Sequence, residues 1–107
     1  MMATIKTIKK IRTCAAAKDN MECEEKLTKF SEDEIFYKLL CNICRNTLLG
    51  NINVNDKDKA KLKKKKKLIK LAAERKIDRK KLCQKGAGIF SILLPLALPI
   101  LTELLSK

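Results

Sequence analysis

Residues 31–50 read SEDEIFYKLLCNICRNTLLG, a stretch that holds a helix start, an apolar stripe and a helix stop in that order. Ser31 followed three residues later by Glu34 is a capping-box pattern, in which the hydroxyl accepts from a first-turn N–H and the carboxylate reaches back to the Ser31 N–H. Asp33 and Glu34 also set negative charge against the positive end of the helix dipole. Phe36, Leu39, Leu40, Ile43, Cys44 and Leu48 recur at the spacing of one helical face, and Gly50 supplies the left-handed residue that closes such a helix. The stretch predicts a helix over 31–49. Its apolar face needs cover, which makes it the candidate surface for oligomerisation or for an interaction adaptor.

Toward the N-terminus, Ile5, Ile8, Ile11 and Ala15 lie at helical spacing with lysines between them, which predicts a short amphipathic helix within 3–18. The following stretch, Asp19 to Phe30, is acidic through Glu22, Glu24 and Glu25 and reads as a turn or a second short helix. Toward the C-terminus, Asn51-Ile52-Asn53-Val54-Asn55 is a connector, because asparagine bonds its own backbone in turns. A basic helix is expected over about 56–76, built from good helix formers. Lys63 to Lys67 repel one another, and the apolar stripe of Leu62, Leu68, Ile69, Leu71, Ala72 and Ala73 lies mostly in the second half. The first half should therefore fray unless anions are bound. Asp78 can cap a short helix over about 78–85, with Ile77 packing on Leu82 as a hydrophobic staple.

No segment reads as a strand, so the fold class is all-α: short helices in series, followed by an apolar C-terminal tail that Pro95 and Pro99 interrupt. Aromatic residues make up 4% of the chain and the best apolar material falls outside any single periodic pattern, so a small core, or none that is independent, is expected. Chemistry divides the chain into an N-terminal helical region 1–50, a basic segment 51–85 and a hydrophobic tail 86–107.

The formal net charge is +13, and Lys57 to Lys85 alone holds 15 cations against three acids, for +12. The candidate nucleic-acid contacts are Lys57, Lys59, Lys61, Lys63, Lys64, Lys65, Lys66, Lys67, Lys70, Arg75, Lys76, Arg79, Lys80, Lys81 and Lys85. Crowded cations gain by displacing the counterions of a polyanion. Base reading favours the planar fork of arginine, and only Arg75 and Arg79 offer it here. No aromatic residue stands between Tyr37 and Phe90, so the segment encodes no platform for stacking single-stranded bases. The expected partner is the backbone of double-stranded DNA. The plainer alternatives are a solvated charge run or a nuclear-localisation tract.

The tail, GIFSILLPLALPILTELL over 88–105, is apolar on every side and so unlike an ordinary surface helix. Its candidate contacts with a membrane or a capsid protein are Ile89, Phe90, Ile92, Leu93, Leu94, Leu96, Leu98, Ile100 and Leu101. Three uses are ranked in order: packing into a larger protein assembly, transient membrane disruption and permanent anchoring; a buried core strand is the fourth, and Pro95 and Pro99 argue against it. A spanning helix needs about 20 apolar residues, and the prolines strain one. A membrane-active protein, with the lysines on anionic head groups and the tail inserted, is the competing function.

Gly88-Ile89-Phe90, then Leu93-Leu94-Pro95-Leu96 and Leu98-Pro99-Ile100, resemble the hydrophobic C-terminus of adenovirus mu-type core-protein precursors. Residues 42–105 also look like the small basic proteins of Polinton-type and adintovirus elements. Gly50-Asn51-Ile52 matches the turn before their Lys-rich helix, and Lys80-Lys81-Leu82-Cys83-Gln84-Lys85-Gly86 matches the step before their Leu/Pro-rich tail. The resemblance implies a virion-core or minor capsid-associated protein that condenses double-stranded DNA. It also implies a candidate processing site at Gly86, Ala87 and Gly88, with cleavage after Ala87. Lysine stands here where the adenovirus proteins favour arginine, and Gln84 where their maturation sites carry an aliphatic residue.

Cys14, Cys23, Cys41, Cys44 and Cys83 are odd in number and scattered, which suits a reducing compartment better than a disulfide scaffold. The N-terminus shows no apolar run of the kind a secretory signal carries. The expected location is a virion core or host nucleus, or otherwise cytoplasm or nucleus, and not secretion. Zinc at Cys41 and Cys44 would need Cys14 and Cys23 as further ligands, since the chain has no histidine. These thiols read instead as packed on the apolar helix face. No nucleophile, acid–base pair or phosphate-cradling glycine loop is legible, so neither an enzyme nor a cofactor or metal site is expected.

Overall fold

The computed structural model describes residues 5–105, and side chains as far as Leu101. Lys107, the end of the expected tail segment, lies outside the described residues, as do the side chains of the 102–105 part of the candidate tail contact. Seven helices follow in order: α1 Ile5–Ala15, α2 Asn20–Lys29, α3 Glu34–Leu48, α4 Asp56–Lys63, α5 Lys66–Ala73, α6 Arg79–Lys85 and α7 Ala87–Leu105. The all-α expectation holds.

Side-chain caps start α2, α3 and α4, whereas Asp78, expected to cap α6, stands at its start without a side-chain capping bond. The α2 start is Asp19, whose carboxylate accepts from the Glu22 N–H at 2.8 Å while Glu22 accepts from the Lys18 N–H at 3.0 Å. This pairing is close to the one expected at Ser31 and Glu34, with the return bond made one residue before the cap. There the structure differs. The N–H of Ser31 donates to the Thr28 carbonyl in the turn that ends α2, and Ser31 is buried. Asp33 caps α3 instead, accepting from the N–H groups of Ile35 and Phe36. The Lys10 ammonium bonds Asp33 and holds its carboxyl below the usual carboxylate range. Glu34 pairs with Lys38 one turn on, at 3.5 Å.

Gly50 closes α3 as expected, at φ 79°, with the Asn51 N–H donating to the Asn46 carbonyl and the Gly50 N–H to that of Thr47. The same closure recurs after α5, where Lys76 donates to Leu71 and Arg75 to Ala72. There the left-handed position is held by Arg75, at φ 56°. The single basic helix expected over 56–76 is thus two helices that end at Ala73. They break at Lys64 and Lys65, inside the lysine run, where like charges three and four residues apart oppose further winding.

The largest correction concerns the tail. Pro95 and Pro99 lie inside a continuous α7 and do not interrupt it. Both are exposed and four residues apart, so they share the solvent face of the helix. The opposite face buries Phe90, Leu93, Leu94, Ala97 and Leu101, a stripe at helical spacing that uniform apolarity had concealed. This stripe packs on α1 and α2, α6 also packs on α2, and α5 packs on α3.

One core results, and it is larger than composition suggested because α7 fills it. Its members come from all three chemical segments: Ile8, Ile11 and Leu27, then Phe36 and Leu40, then Ile69 and Leu82, then Ile89 and Leu93. On α1 the buried face runs through Ile8, Ile11 and Cys14, while Ile5 is exposed and Ala15 half-buried. The radius of gyration of 12.4 Å matches the roughly 13 Å expected of a folded chain this long. Between α6 and α7 the axis turns by 89° at Gly86. A Cβ there would stand 2.5 Å from the Leu82 carbonyl oxygen and 2.8 Å from the Phe90 ring, so this corner admits only glycine.

Candidate nucleic-acid interface

The basic segment meets the core along a thin edge. In α4 the buried residue is Leu62, and in α5 the buried residues are Ile69 and Ala72. Asn55 caps α4 by accepting from the Asp58 N–H at 2.8 Å, and Asp56 and Asp58 oppose the dipole in its first turn. Local devices therefore start a helix that tertiary packing holds lightly. Behind α5, the Tyr37 hydroxyl donates to the Ile77 carbonyl at 2.8 Å and ties α3 to the approach of α6.

Lys57, Lys59, Lys61, Lys63, Lys64, Lys65, Lys66, Lys67 and Lys70 are all exposed, and none pairs with an acid among the described residues. Lys76 pairs with Glu74 at 3.6 Å, and Arg79 is half-buried with its guanidinium on the Glu32 carbonyl at 3.4 Å. Lys80, Lys81 and Lys85 are exposed on α6. The fold divides the predicted set. α5 packs on α3, and side chains of α4 share a hollow with Thr47 and Leu48 at the end of α3, whereas α6 packs on α2, which begins after Asp19 and carries Glu22, Glu24 and Glu25. The strongest uncompensated field belongs to α4 and α5.

Two hollows lie between these helices and α3. One, of about 310 Å3, is lined by Lys59, Lys63 and Lys66 together with Thr47, Leu48 and Asn53. The other, of about 520 Å3, is lined by Arg45, Lys70, Arg75 and Glu74, again with Leu48. Arg45 is the contributor that sequence reasoning missed. It is one of two cations in α3, the other being Lys38, which pairs with Glu34, and a helix read for its apolar face gives it no weight as a site residue.

All the candidate tail contacts but Ile100 are buried or half-buried in the protein. Ile89, Phe90, Leu93, Leu94 and Leu101 are buried, Ile92, Leu96 and Leu98 are half-buried against the core, and Ile100 is 42% exposed. Contact with a membrane or capsid through them requires α7 to leave α1 and α2. No single helix among the described residues is long and apolar enough to cross a membrane. At the candidate processing site, Gly86 and Ala87 are buried and Gly88 is half-buried, so a protease would need the α6–α7 corner to open.

All five cysteines are free and buried. Desolvation pushes the thiols of Cys14, Cys44 and Cys83 up to about 12 and that of Cys23 to about 11, and raises Cys41 as well. Such thiols stay protonated and behave as packed apolar groups. No group of three metal-ligating side chains assembles among the described residues. Compared with known proteins, the chain matches no family model, no curated protein and no solved structure at significance.

Proposed function

We propose that this protein binds and condenses double-stranded DNA by neutralising backbone phosphates, without reading base sequence. The observation that carries the proposal is the row of nine exposed, unpaired lysines from Lys57 to Lys70 on one flank of a folded core. Phosphates can replace water around these ammonium groups without first breaking internal ion pairs, and counterion release supplies the favourable free energy. Duplex DNA carries one charge per roughly 1.7 Å, so the +12 of residues 57–85 balances about 20 Å of duplex. The molecule measures 33 × 28 × 26 Å, so copies packed side by side along a duplex would neutralise most of its charge. That is the requirement for condensation. The likeness to adenovirus mu-type and Polinton-type basic proteins supports placing this activity in a virion core or a minor capsid-associated role.

The test is a salt titration with the full chain on two duplexes of unrelated sequence. With roughly 6–10 phosphate contacts, affinity falls on the order of 10³–10⁵-fold between 50 and 200 mM salt, equally for both duplexes. A flat salt response, or strong preference for one sequence, would contradict the proposal.

A further inference from the structure

The two hollows divide the lysines of α4 and α5 into two sets. Lys59, Lys63, Lys66 and Lys70 line the hollows, whereas Lys57, Lys61, Lys64, Lys65 and Lys67 do not. Lys59 and Lys63 lie one turn apart on α4, and Lys66 and Lys70 one turn apart on α5, beside the buried Leu62 and Ile69 of the same two helices. Arg45 from α3 and Arg75 from the end of α5 complete the second hollow. Leu48, 44% exposed, lines both hollows, so they adjoin along one side of α3. Glu74 is the acid in the lining, and Lys76 already pairs with it.

We infer that phosphate contact is made by this composite groove, through Arg45, Lys59, Lys63, Lys66, Lys70 and Arg75, with the remaining α4–α5 lysines outside it. The inference rests on the DNA-binding reading and gives it an address. Cations of one sign lining a concavity with low-dielectric walls concentrate the potential within it, so they act on a phosphate ridge more strongly than the same charges spread over a convex surface. Groove and ligand also match in shape. The backbone of a duplex is a convex ridge of phosphates that enters a recess, whereas a planar membrane meets outward-facing groups first.

The experiment compares two triple substitutions that remove equal charge from the full chain. Arg45→Gln, Lys66→Gln and Lys70→Gln remove half of the groove cations, while Lys57→Gln, Lys61→Gln and Lys65→Gln thin the outer set. Binding to a duplex and to vesicles rich in anionic phospholipid is measured across a salt series. At about 0.9 per phosphate contact, the groove triple lowers the slope of log affinity against log salt by about 2.7, and the outer triple lowers it by less than one. Equal losses from the two triples overturn the inference while leaving DNA binding intact. A parent chain that does not shift duplex overturns both readings. Loss of vesicle binding alone in the groove triple assigns the groove to lipid and also overturns it. Arg45→Glu against Arg12→Glu keeps the question open to measurement if a triple fails to fold. Both positions lie outside the lysine run, and only the first is expected to weaken duplex binding.

Discussion

Helix α7 and the pair α4–α5 are the two most extreme compositions in the molecule, and the fold treats them in opposite ways. α7 consists almost entirely of apolar residues and becomes the element on which α1 and α2 close. The pair α4–α5 is dominated by lysine and contributes Leu62, Ile69 and Ala72 to the core. Composition states how strongly a segment avoids water but does not say what covers it. The N-terminal helices, modest and amphipathic, provide that cover, so an apolar end that reads as an external contact becomes the interior. The lysines have no such partner and stay outside, where we propose that a polyanion meets them.

The sharpest way to break this contrast is Phe90→Ala. Phe90 is fully buried in α7, and truncation there should cost about 3–5 kcal/mol in chemical denaturation. A loss below about 1 kcal/mol would mean that α7 is not structural and would return it to the status of an external tail.

A smaller effect per residue comes from the core thiols. In the unfolded chain they ionise near 9, while burial holds Cys14, Cys44 and Cys83 up to about 12. The unfolded state then binds fewer protons than the native state as pH rises through that window. Stability is fully present below about pH 9 and declines above it, by at most roughly 1.4 kcal/mol per pH unit for each thiol. Denaturation midpoints between pH 8 and 10 measure this, and thiol reagents at pH 8 should label the native protein only as it unfolds. Rapid labelling of the folded chain would show that the core around α7 is open.

The smallest expected change sits in the basic segment. Arg75 holds a left-handed conformation that usually belongs to glycine, so Arg75→Gly should raise stability by about 0.5–1 kcal/mol. The same substitution removes a groove cation, and the salt slope of duplex binding should fall by about one. Stability and binding moving in opposite directions would sharpen the contrast between the two regions. A variant that binds unchanged would take Arg75 out of the interface.

Much of this was legible locally. The apolar stripe of α3, its stop at Gly50, the start of α4 at Asp56 and the burial of Cys41 and Cys44 all follow from signals spanning four residues or fewer. The α3 cap was displaced from Ser31 to Asp33 because the end of α2 uses Ser31 in its own turn, a competition between neighbouring elements. Arg45 was invisible as a site residue because its importance comes from α5 packing beside it, 20 or more residues away in the chain.

Helical character, the location of the excess positive charge and the exposure of the lysines follow from the order of residues alone, since periodicity, capping and ion hydration are properties of short segments. Packing was needed to put α7 inside with its prolines turned to water, and to bring Arg45 beside the lysines around one groove. Burial depends on which distant faces meet, and no local pattern specifies that choice.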